Sequence, residues 1–144
     1  MGAGVLLTGS DDRVLLVEPT YKPNWEVPGG AVEAEESPLT AARRELHEEL
    51  GLTVYIGRLL VTDWVPPRPG RTDGLMLIFD GGVLPAATAE RIVLAADELR
   101  SWAWCTPAEA GQRLIPLLAR RVAAAVEARA GGTCAYLEDG RPVI

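Results

Sequence analysis

Residues Gly30 to Leu52, GAVEAEESPLTAARRELHEELGL, contain one helix together with the signals for both of its ends. Ser37 can cap this helix, Pro38 suits its first position, and Gly51 can close its far end. The sequence therefore predicts a helix over residues 38–50. Apolar residues at helical spacing form one side of it, which must pack on the rest of the protein: Leu39, Ala42, Leu46 and Leu50.

Three glutamates share a different face of this helix. Glu45, Glu48 and Glu49 fall within about 100° of arc at α-helical spacing, and like charges one turn apart cost roughly 0.2 to 0.5 kcal/mol per pair. Arg44 can reach Glu48, but no basic residue lies one turn from Glu45 or Glu49 on the helix. A divalent cation would compensate this charge, since Mg²⁺ prefers carboxylate oxygens. A solvated acidic surface is the ordinary alternative.

Spacing distinguishes these two interpretations. The segment fits G-x5-E-x7-R-E-U-x-E-E-x-G-U, where U is aliphatic, and at average residue frequencies a chance match is about one in a billion per start position. This pattern is the Nudix box, and the chain resembles the Nudix (MutT-type) hydrolase family in it and, more loosely, in the preceding run WEVPGG. The matching residues are Gly30, Glu36, Arg44, Glu45, Leu46, Glu48, Glu49, Gly51 and Leu52.

The resemblance implies a metal site. In Nudix hydrolases the counterparts of Glu48 and Glu49 hold Mg²⁺, or alternatively Mn²⁺, together with a backbone carbonyl of the glycine that matches Gly29 or Gly30. The counterpart of Glu45 is a further ligand or the base that activates water. We therefore expect Gly30 and the three glutamates to be metal ligands, with the glutamates also catalytic.

Supporting residues follow from the same resemblance. The counterpart of Arg44 orients a catalytic carboxylate, which places Arg44 with the catalytic group, and the counterpart of Glu36 is its salt-bridge partner. Some family members take another carboxylate from a loop well after the box. Glu98 is our candidate for this further metal ligand, with Asp97 and Glu90 as alternatives. A polar turn before a strand explains Asp97 and Glu98 equally well.

Substrate contacts are predicted from the loops around the glycine-rich run. Trp25 can stack on a base, although tryptophans in small domains are more often core residues. Lys22, Arg71 and Arg68 can meet phosphates, although single basic loop residues are usually only solvated. We expect Trp25, Lys22 and Arg71 to bind substrate. His47, the only histidine, falls at a variable position of the box and is expected to face solvent.

The remaining chain predicts strands before and after the box helix and more helix near the end. Pro116 interrupts the late helical stretch, and the last residues suggest a hairpin around Asp139 and Gly140. The predicted strands are 5–7, 14–17, 54–63, 75–83 and 101–105, the late helical region is 107–130, and the terminal hairpin is 133–144. This order predicts an α/β (α+β) sandwich with a mixed sheet and flanking helices, and the resemblance implies the Nudix fold.

Composition narrows the classes of protein. With 144 residues, of which 48% are hydrophobic, we expect a single domain over 1–144. No apolar run approaches the ~20 residues of a membrane span, and the start lacks a basic signal region, so we expect a cytoplasmic protein. A net charge of -6 disfavours nonspecific nucleic-acid binding. Cys105 and Cys134 lack metal-ligand spacing and are expected to be reduced thiols.

The function implied by the resemblance is Mg²⁺-dependent cleavage of a diphosphate linkage in a nucleoside diphosphate derivative. The substrates that fit this class are (d)NTPs, ADP-ribose, dinucleoside polyphosphates and nucleotide sugars. A catalytically silent Nudix fold that binds nucleotides or regulates is the alternative, and the intact acids of the box favour the enzyme. A homodimer is a further expectation, because the terminal hairpin can either cover a sheet edge or join a partner.

Overall fold

Eight strands form one mixed sheet with helices on both faces. The computed structural model describes residues 1–144. The strands are β1 Gly2–Thr8, β2 Val14–Pro19, β3 Gly29–Ala31, β4 Leu59–Val65, β5 Gly74–Val83, β6 Leu99–Cys105, β7 Ala135–Glu138 and β8 Arg141–Pro142. The helices are α1 Pro38–Leu50, α2 Ala86–Ala89, α3 Pro107–Arg113 and α4 Pro116–Gly131.

The sheet is built around β1. Its order is β6-β2-β1-β5-β4-β7-β8, and β3 pairs with β1 outside that order. Strand β1 runs parallel to β5 and antiparallel to both β2 and β3, and β4 runs parallel to β7. The predicted mixed sheet with flanking helices is therefore confirmed. Because β3 pairs with the first residues of β1, the glycine-rich run lies beside the start of the central strand.

Alternation along β1 divides the core into two layers. Val5 and Leu7 pack into a cluster with α1, whereas Leu6 packs on the opposite face, in a cluster with α3 and α4. All three side chains are fully buried. Successive side chains of a strand point to opposite faces, so one apolar run supplies both cores. The result is a sandwich with α1 on one face of the sheet and α4 on the other.

The box helix forms as predicted. Ser37 Oγ accepts a hydrogen bond from the Thr40 backbone N–H at 3.1 Å, and Gly51 ends the helix with a φ of 67°. The late helical region is two helices, the second beginning at Pro116, as expected. The cap and proline signals thus placed these boundaries within a residue or two.

Three element predictions differ from the structure. The glycine-rich run, expected to be a loop, contains the three-residue strand β3, which pairs with β1. The strand expected over 54–63 is β4, 59–65, because the preceding segment bonds the sheet only near Gly57 and Arg58. Buried Ile56 beside exposed Tyr55 gave that segment the alternation of a strand. Helix α2 was not predicted, since a four-residue turn is too short to show helical periodicity.

The terminal hairpin covers a sheet edge. β7 pairs in parallel with β4, and β8 folds back antiparallel on β7, with positive φ at Asp139 and Gly140 as two-residue hairpin turns require. The hairpin therefore covers a sheet edge within its own chain, which is one of the two arrangements expected from the sequence. None of the helices combines the length and hydrophobicity needed to cross a bilayer.

Candidate functional site

Glu49 is the buried carboxylate of the box. It lies on the last turn of α1 with only 5% of its surface exposed, and its Oε1 accepts a hydrogen bond from the Gly29 backbone N–H at 2.8 Å. Burial raises its pKa to about 8 against the opposing effect of that hydrogen bond, and the charges of Glu45 and Glu98 add to the rise. No basic side chain pairs with this carboxylate. Glu49 therefore carries an uncompensated charge when it is ionised.

Glu45 lies against the backbone of β3. A Cβ atom built on Gly30 would stand 2.6 Å from Cδ and Oε1 of Glu45, a separation that real Cβ atoms do not show. Only glycine lets this strand approach the carboxylate so closely. Burial raises the pKa of Glu45, whereas its hydrogen bond from Arg44 lowers it. The main chain at Gly30 and the Glu45 carboxylate are thus in close contact.

Arg44 ties Glu36, Glu45 and Glu48 together. Its Nε and Nη2 donate to the two oxygens of Glu36 at 2.7 and 2.9 Å. Its Nη1 donates to Glu45 at 3.0 Å and to Glu48 at 3.2 Å, and Nη2 also reaches the Ala31 carbonyl at 3.1 Å. Hydrogen bonds from Arg44 lower the pKa of Glu36 to about 2. Arg44 thus compensates Glu45 as well as Glu48, a contact that one-turn spacing did not show.

Glu98 is the later carboxylate that the fold brings to these acids. Its negative charge raises the pKa of both Glu45 and Glu49. Of the three loop carboxylates predicted from the sequence, Glu98 is the one whose charge contributes to the pKa shifts of both box acids.

Tyr21 was missed by the sequence analysis. It lines the cleft described below and is 69% exposed, and partial desolvation together with the negative charges of Glu49 and Glu98 raises the pKa of its hydroxyl. The preceding residue anchors the two loops together, because Thr20 Oγ1 donates to the Asp97 carbonyl at 2.9 Å and Thr20 N donates to the Glu98 carbonyl at the same distance. No pattern in the sequence distinguishes Tyr21 from the other loop aromatics.

The donor set suits a hard divalent cation. Four carboxylates and the β3 backbone offer only oxygen ligands, and Glu49 lacks any cationic partner. The backbone of Gly30 approaches Glu45 at a point that a Cβ would fill. No three acidic, histidine or cysteine side chains yet surround a single point, and Arg44 holds Glu45 and Glu48 to its own guanidinium. Glu45, Glu48, Glu49, Glu98 and Gly30 are the residues that would hold the ion.

A cleft of about 760 Å³ opens beside the glycine run. Gly29 and Gly30 form part of its wall, and Lys22, Arg68 and Arg71 line it as well. Two of the three predicted substrate-binding residues, Lys22 and Arg71, therefore face the same space as the box backbone. Basic side chains at the rim of such a cleft can meet phosphate oxygens.

Lys22 and Arg71 lie close to each other. Burial lowers the pKa of Lys22, and the positive charge of Arg71 lowers it further. Lys22 also forms an ion pair with Glu26, which lines the same cleft. Two cations that line one cleft, with Glu26 as the acidic partner of Lys22, favour an anionic ligand.

Trp25 and His47 do not face the cleft. The Arg113 guanidinium carbon lies 4.5 Å from the centre of the Trp25 ring, and Trp25 packs against the core cluster beneath α4. The structure therefore does not bring Trp25 to the predicted substrate site, because a large ring is better packed against α3 than exposed. His47 is exposed on α1, as its helical position predicts.

Arg121 is a second cleft residue that the sequence analysis missed. It lies on α4, is 6% exposed, and donates from Nε to Asp63 Oδ2 at 2.7 Å. Asp63 on β4 is fully buried. Arg121 stands in an Ala- and Arg-rich helix with no motif around it, so only the tertiary structure shows that it lines the cleft.

Comparison with known proteins shows the family. The family model of the NUDIX domain matches residues 1–126, and the chain belongs to this family. A MutT-like protein of Streptomyces ambofaciens is 29% identical over 143 residues, covering 99% of this chain and 84% of that protein. Diphosphoinositol polyphosphate phosphohydrolase 2 of Rattus norvegicus is 53% identical over 51 residues, 35% of this chain, and the match spans only 28% of that relative.

Solved structures show the same fold. The MutT protein from Methanosarcina mazei Go1 matches with a TM-score of 0.72 at 19% identity, over 91% of this chain and 93% of that one. The NUDIX domain of Shewanella oneidensis NrtR, complexed with ADP ribose, matches with a TM-score of 0.69 at 21% identity, over 88% of this chain and 85% of that one. At these identities the likeness concerns the fold alone.

Proposed function

We propose that this chain is a divalent-metal-dependent hydrolase that cleaves a diphosphate linkage in a nucleoside diphosphate derivative. The observation that carries the proposal is the arrangement of three intact box glutamates on one helix face, two of which, Glu49 and Glu45, lie directly against the backbone of Gly29 and Gly30. Glu49 is buried there without a cationic partner. The names of relatives support the same class, since one is a phosphohydrolase and another a MutT-like protein.

Each protein group has a distinct task in this proposal. Bound Mg²⁺, or Mn²⁺ in its place, would supply positive charge to the diphosphate oxygens and would lower the pKa of water. Glu49 stays oriented through its bond from Gly29, and Arg44 orients Glu45 and Glu48. Glu45 accepts the proton of the attacking water, a role that its raised pKa suits.

The cleft supplies substrate binding. Lys22 and Arg71 meet the phosphates at the rim, so that the linkage lies beside the box carboxylates. A substrate held in this way needs little covalent help, because positioning and electrostatic stabilisation lower the barrier. The structure of a related domain with ADP ribose supports a nucleotide as occupant of such a fold.

Hydrolysis of a substrate panel tests the proposal. Phosphate and nucleotide release would be measured for canonical and oxidised (d)NTPs, ADP-ribose, dinucleoside polyphosphates and nucleotide sugars, with Mg²⁺ or EDTA. We expect turnover of at least one member with Mg²⁺, its loss in EDTA, and its loss in Glu48→Gln and Glu49→Gln. His47→Gln, an exposed neighbour on the same helix, is the matched control and should retain activity. Binding without turnover across the panel would instead favour the silent module.

A further inference from the structure

The cleft is lined by a buried guanidinium, that of Arg121, whose two terminal nitrogens have no partner in the protein. Arg121 Nε bonds Asp63, but Nη1 and Nη2 donate no hydrogen bond to the protein. Its side chain is 7% exposed, so more than nine-tenths of it is buried. Because no fully buried side-chain nitrogen or oxygen in the chain lacks a partner, these two nitrogens must be reached from the cleft. Arg121 therefore aims unused donors into the cavity.

The surroundings of Arg121 are apolar and spacious. Leu117 and Leu118 on α4 and Met76 and Ile78 on β5 line this part of the cleft. A flat apolar ring can fill such a space and gain from burial. The apolar lining thus favours a planar ring system over a chain of phosphates.

The charge of Arg121 is already compensated. Its partner Asp63 is fully buried and is held in turn by the Gly140 backbone N–H at 2.9 Å. The Arg121–Asp63 ion pair is complete within the protein, so it has little net charge, although the guanidinium still has free N–H donors. A neutral hydrogen-bond acceptor on a ligand therefore suits these donors better than a second anion. Phosphates have other partners at the rim, Lys22 and Arg71.

We propose that Arg121 reads the base of a nucleotide substrate, donating from Nη1 and Nη2 to two adjacent acceptors on one edge of the ring. A 6-oxopurine presents such an edge in O6 and N7, whereas adenine places a donor beside N7. The inference rests on the proposed function in that it takes the substrate to be a nucleotide. Arg121 is a specificity-determining residue in this view, and it takes no part in the chemical step.

Equilibrium binding of nucleoside monophosphates tests this role without turnover, because they contain no diphosphate linkage. The dissociation constants of GMP, 7-deaza-GMP, AMP and ribose 5-phosphate would be measured with Mg²⁺ for the natural chain and for Arg121→Lys. We expect GMP to bind about tenfold to a hundredfold more tightly than AMP or 7-deaza-GMP. Arg121→Lys keeps a charge beside Asp63 but loses the planar fork, so this preference should disappear while binding of ribose 5-phosphate is unchanged.

Two further variants separate recognition from folding. Arg120→Lys alters the neighbouring arginine, which bonds the Asp139 carbonyl, and should leave the base preference intact. The double variant Asp63→Asn with Arg121→Met removes both buried charges together and should lose the preference even if Arg121→Lys does not fold. Equal binding of all four ligands by the natural chain, or a guanine preference retained in the Arg121 variants, would overturn the inference.

The two proposals fail separately in these experiments. If the panel is hydrolysed but binding shows no base preference, the proposed hydrolase activity is supported and the role of Arg121 is contradicted. If a guanine preference depends on Arg121 but the chain has no hydrolytic activity, base recognition is supported and the proposed hydrolase activity is contradicted.

Discussion

Two opposing effects determine the protonation state of the Glu49 carboxyl group. Burial and the neighbouring acids favour the protonated carboxyl, so that its pKa is about 8, whereas the hydrogen bond from Gly29 favours the carboxylate. Without a cation the folded chain holds this proton across most of the neutral range. A bound cation has to displace it, so metal affinity is expected to rise with pH.

The stability of the metal-free protein should therefore fall as pH rises. The pKa of Glu49 is about 8 in the folded chain against an ordinary value of 4.5, so between these values the unfolded chain gives up a proton that the folded chain keeps. This contribution is fully present below about pH 4.5 and is lost as pH rises through about 8. Thermal melting in EDTA over this range should show the fall in the natural chain and not in Glu49→Gln.

A matched control for this measurement is Glu127→Gln, which changes an exposed glutamate on α4. It should keep the pH dependence of the natural chain. Parallel curves for the natural chain and Glu49→Gln would show that Glu49 is not protonated at neutral pH in the folded protein.

At the scale of a single element, α1 is both a structural and a chemical unit. One side of it supplies Ala42, Leu46 and Leu50 to the core, which fixes the helix on the sheet. The other side carries the acids, and Arg44 connects Glu45 and Glu48 to Glu36 in the loop that leads into the helix. A helix held on one side by close packing presents its opposite side with little freedom to move.

Arg44→Lys should reduce activity more than stability. An ammonium cannot bond both oxygens of Glu36 while also reaching Glu45 and Glu48, so the two catalytic carboxylates lose their orientation. We expect kcat to fall about tenfold to a hundredfold with a small change in melting temperature. Steady-state kinetics on the substrate identified by the panel, with circular dichroism melting, measures both.

Arg43→Lys is the control for this substitution, since Arg43 is the exposed neighbour on the same helix. It should leave kcat unchanged. Equal kcat values for the two variants would mean that Arg44 does not orient the carboxylates.

Across the whole molecule, the last residues of the chain support the cleft. The Gly140 N–H holds Asp63, Asp63 holds Arg121, and Arg120 donates to the Asp139 carbonyl at 2.7 Å. The terminal hairpin, β4 and α4 are thus joined by one buried polar network. Half-satisfied networks of this kind are costly, so the hairpin turn has to keep its shape.

Gly140→Ala should destabilise the protein. The residue has a φ of 72°, and an added Cβ would stand 3.0 Å from the Leu117 carbonyl oxygen. A left-handed conformation costs an L-residue about 1 to 2 kcal/mol, before any contribution from this contact. Urea unfolding followed by circular dichroism measures the free energy of unfolding of both chains.

Gly111→Ala provides the opposite expectation in the same experiment. Gly111 lies inside α3 with open space where its Cβ would stand, so alanine should stabilise the helix by about 0.5 to 1 kcal/mol. A loss of stability of the same size in both variants would contradict the importance of the turn at Gly140.

The sequence anticipated features that depend on short-range spacing. The caps and the apolar stripe predicted α1, and the fixed spacing of Glu45, Glu48 and Glu49 predicted that they share one face. The hairpin turn at Asp139 and Gly140 and the helix boundary at Pro116 likewise depend on local backbone geometry. Local conformation follows from the residues themselves, so these predictions needed no knowledge of the rest of the chain.

Spacing along the chain therefore predicted the helix, its acidic face, the family pattern and the mixed α/β class. Which distant residues reach the site depends on tertiary packing: it brought the charge of Glu98 to bear on the acids, packed Trp25 against Arg113, and placed Tyr21 and Arg121 in the cleft. These contacts join residues far apart in the chain. Their distances depend on how whole layers pack, and no local pattern encodes that.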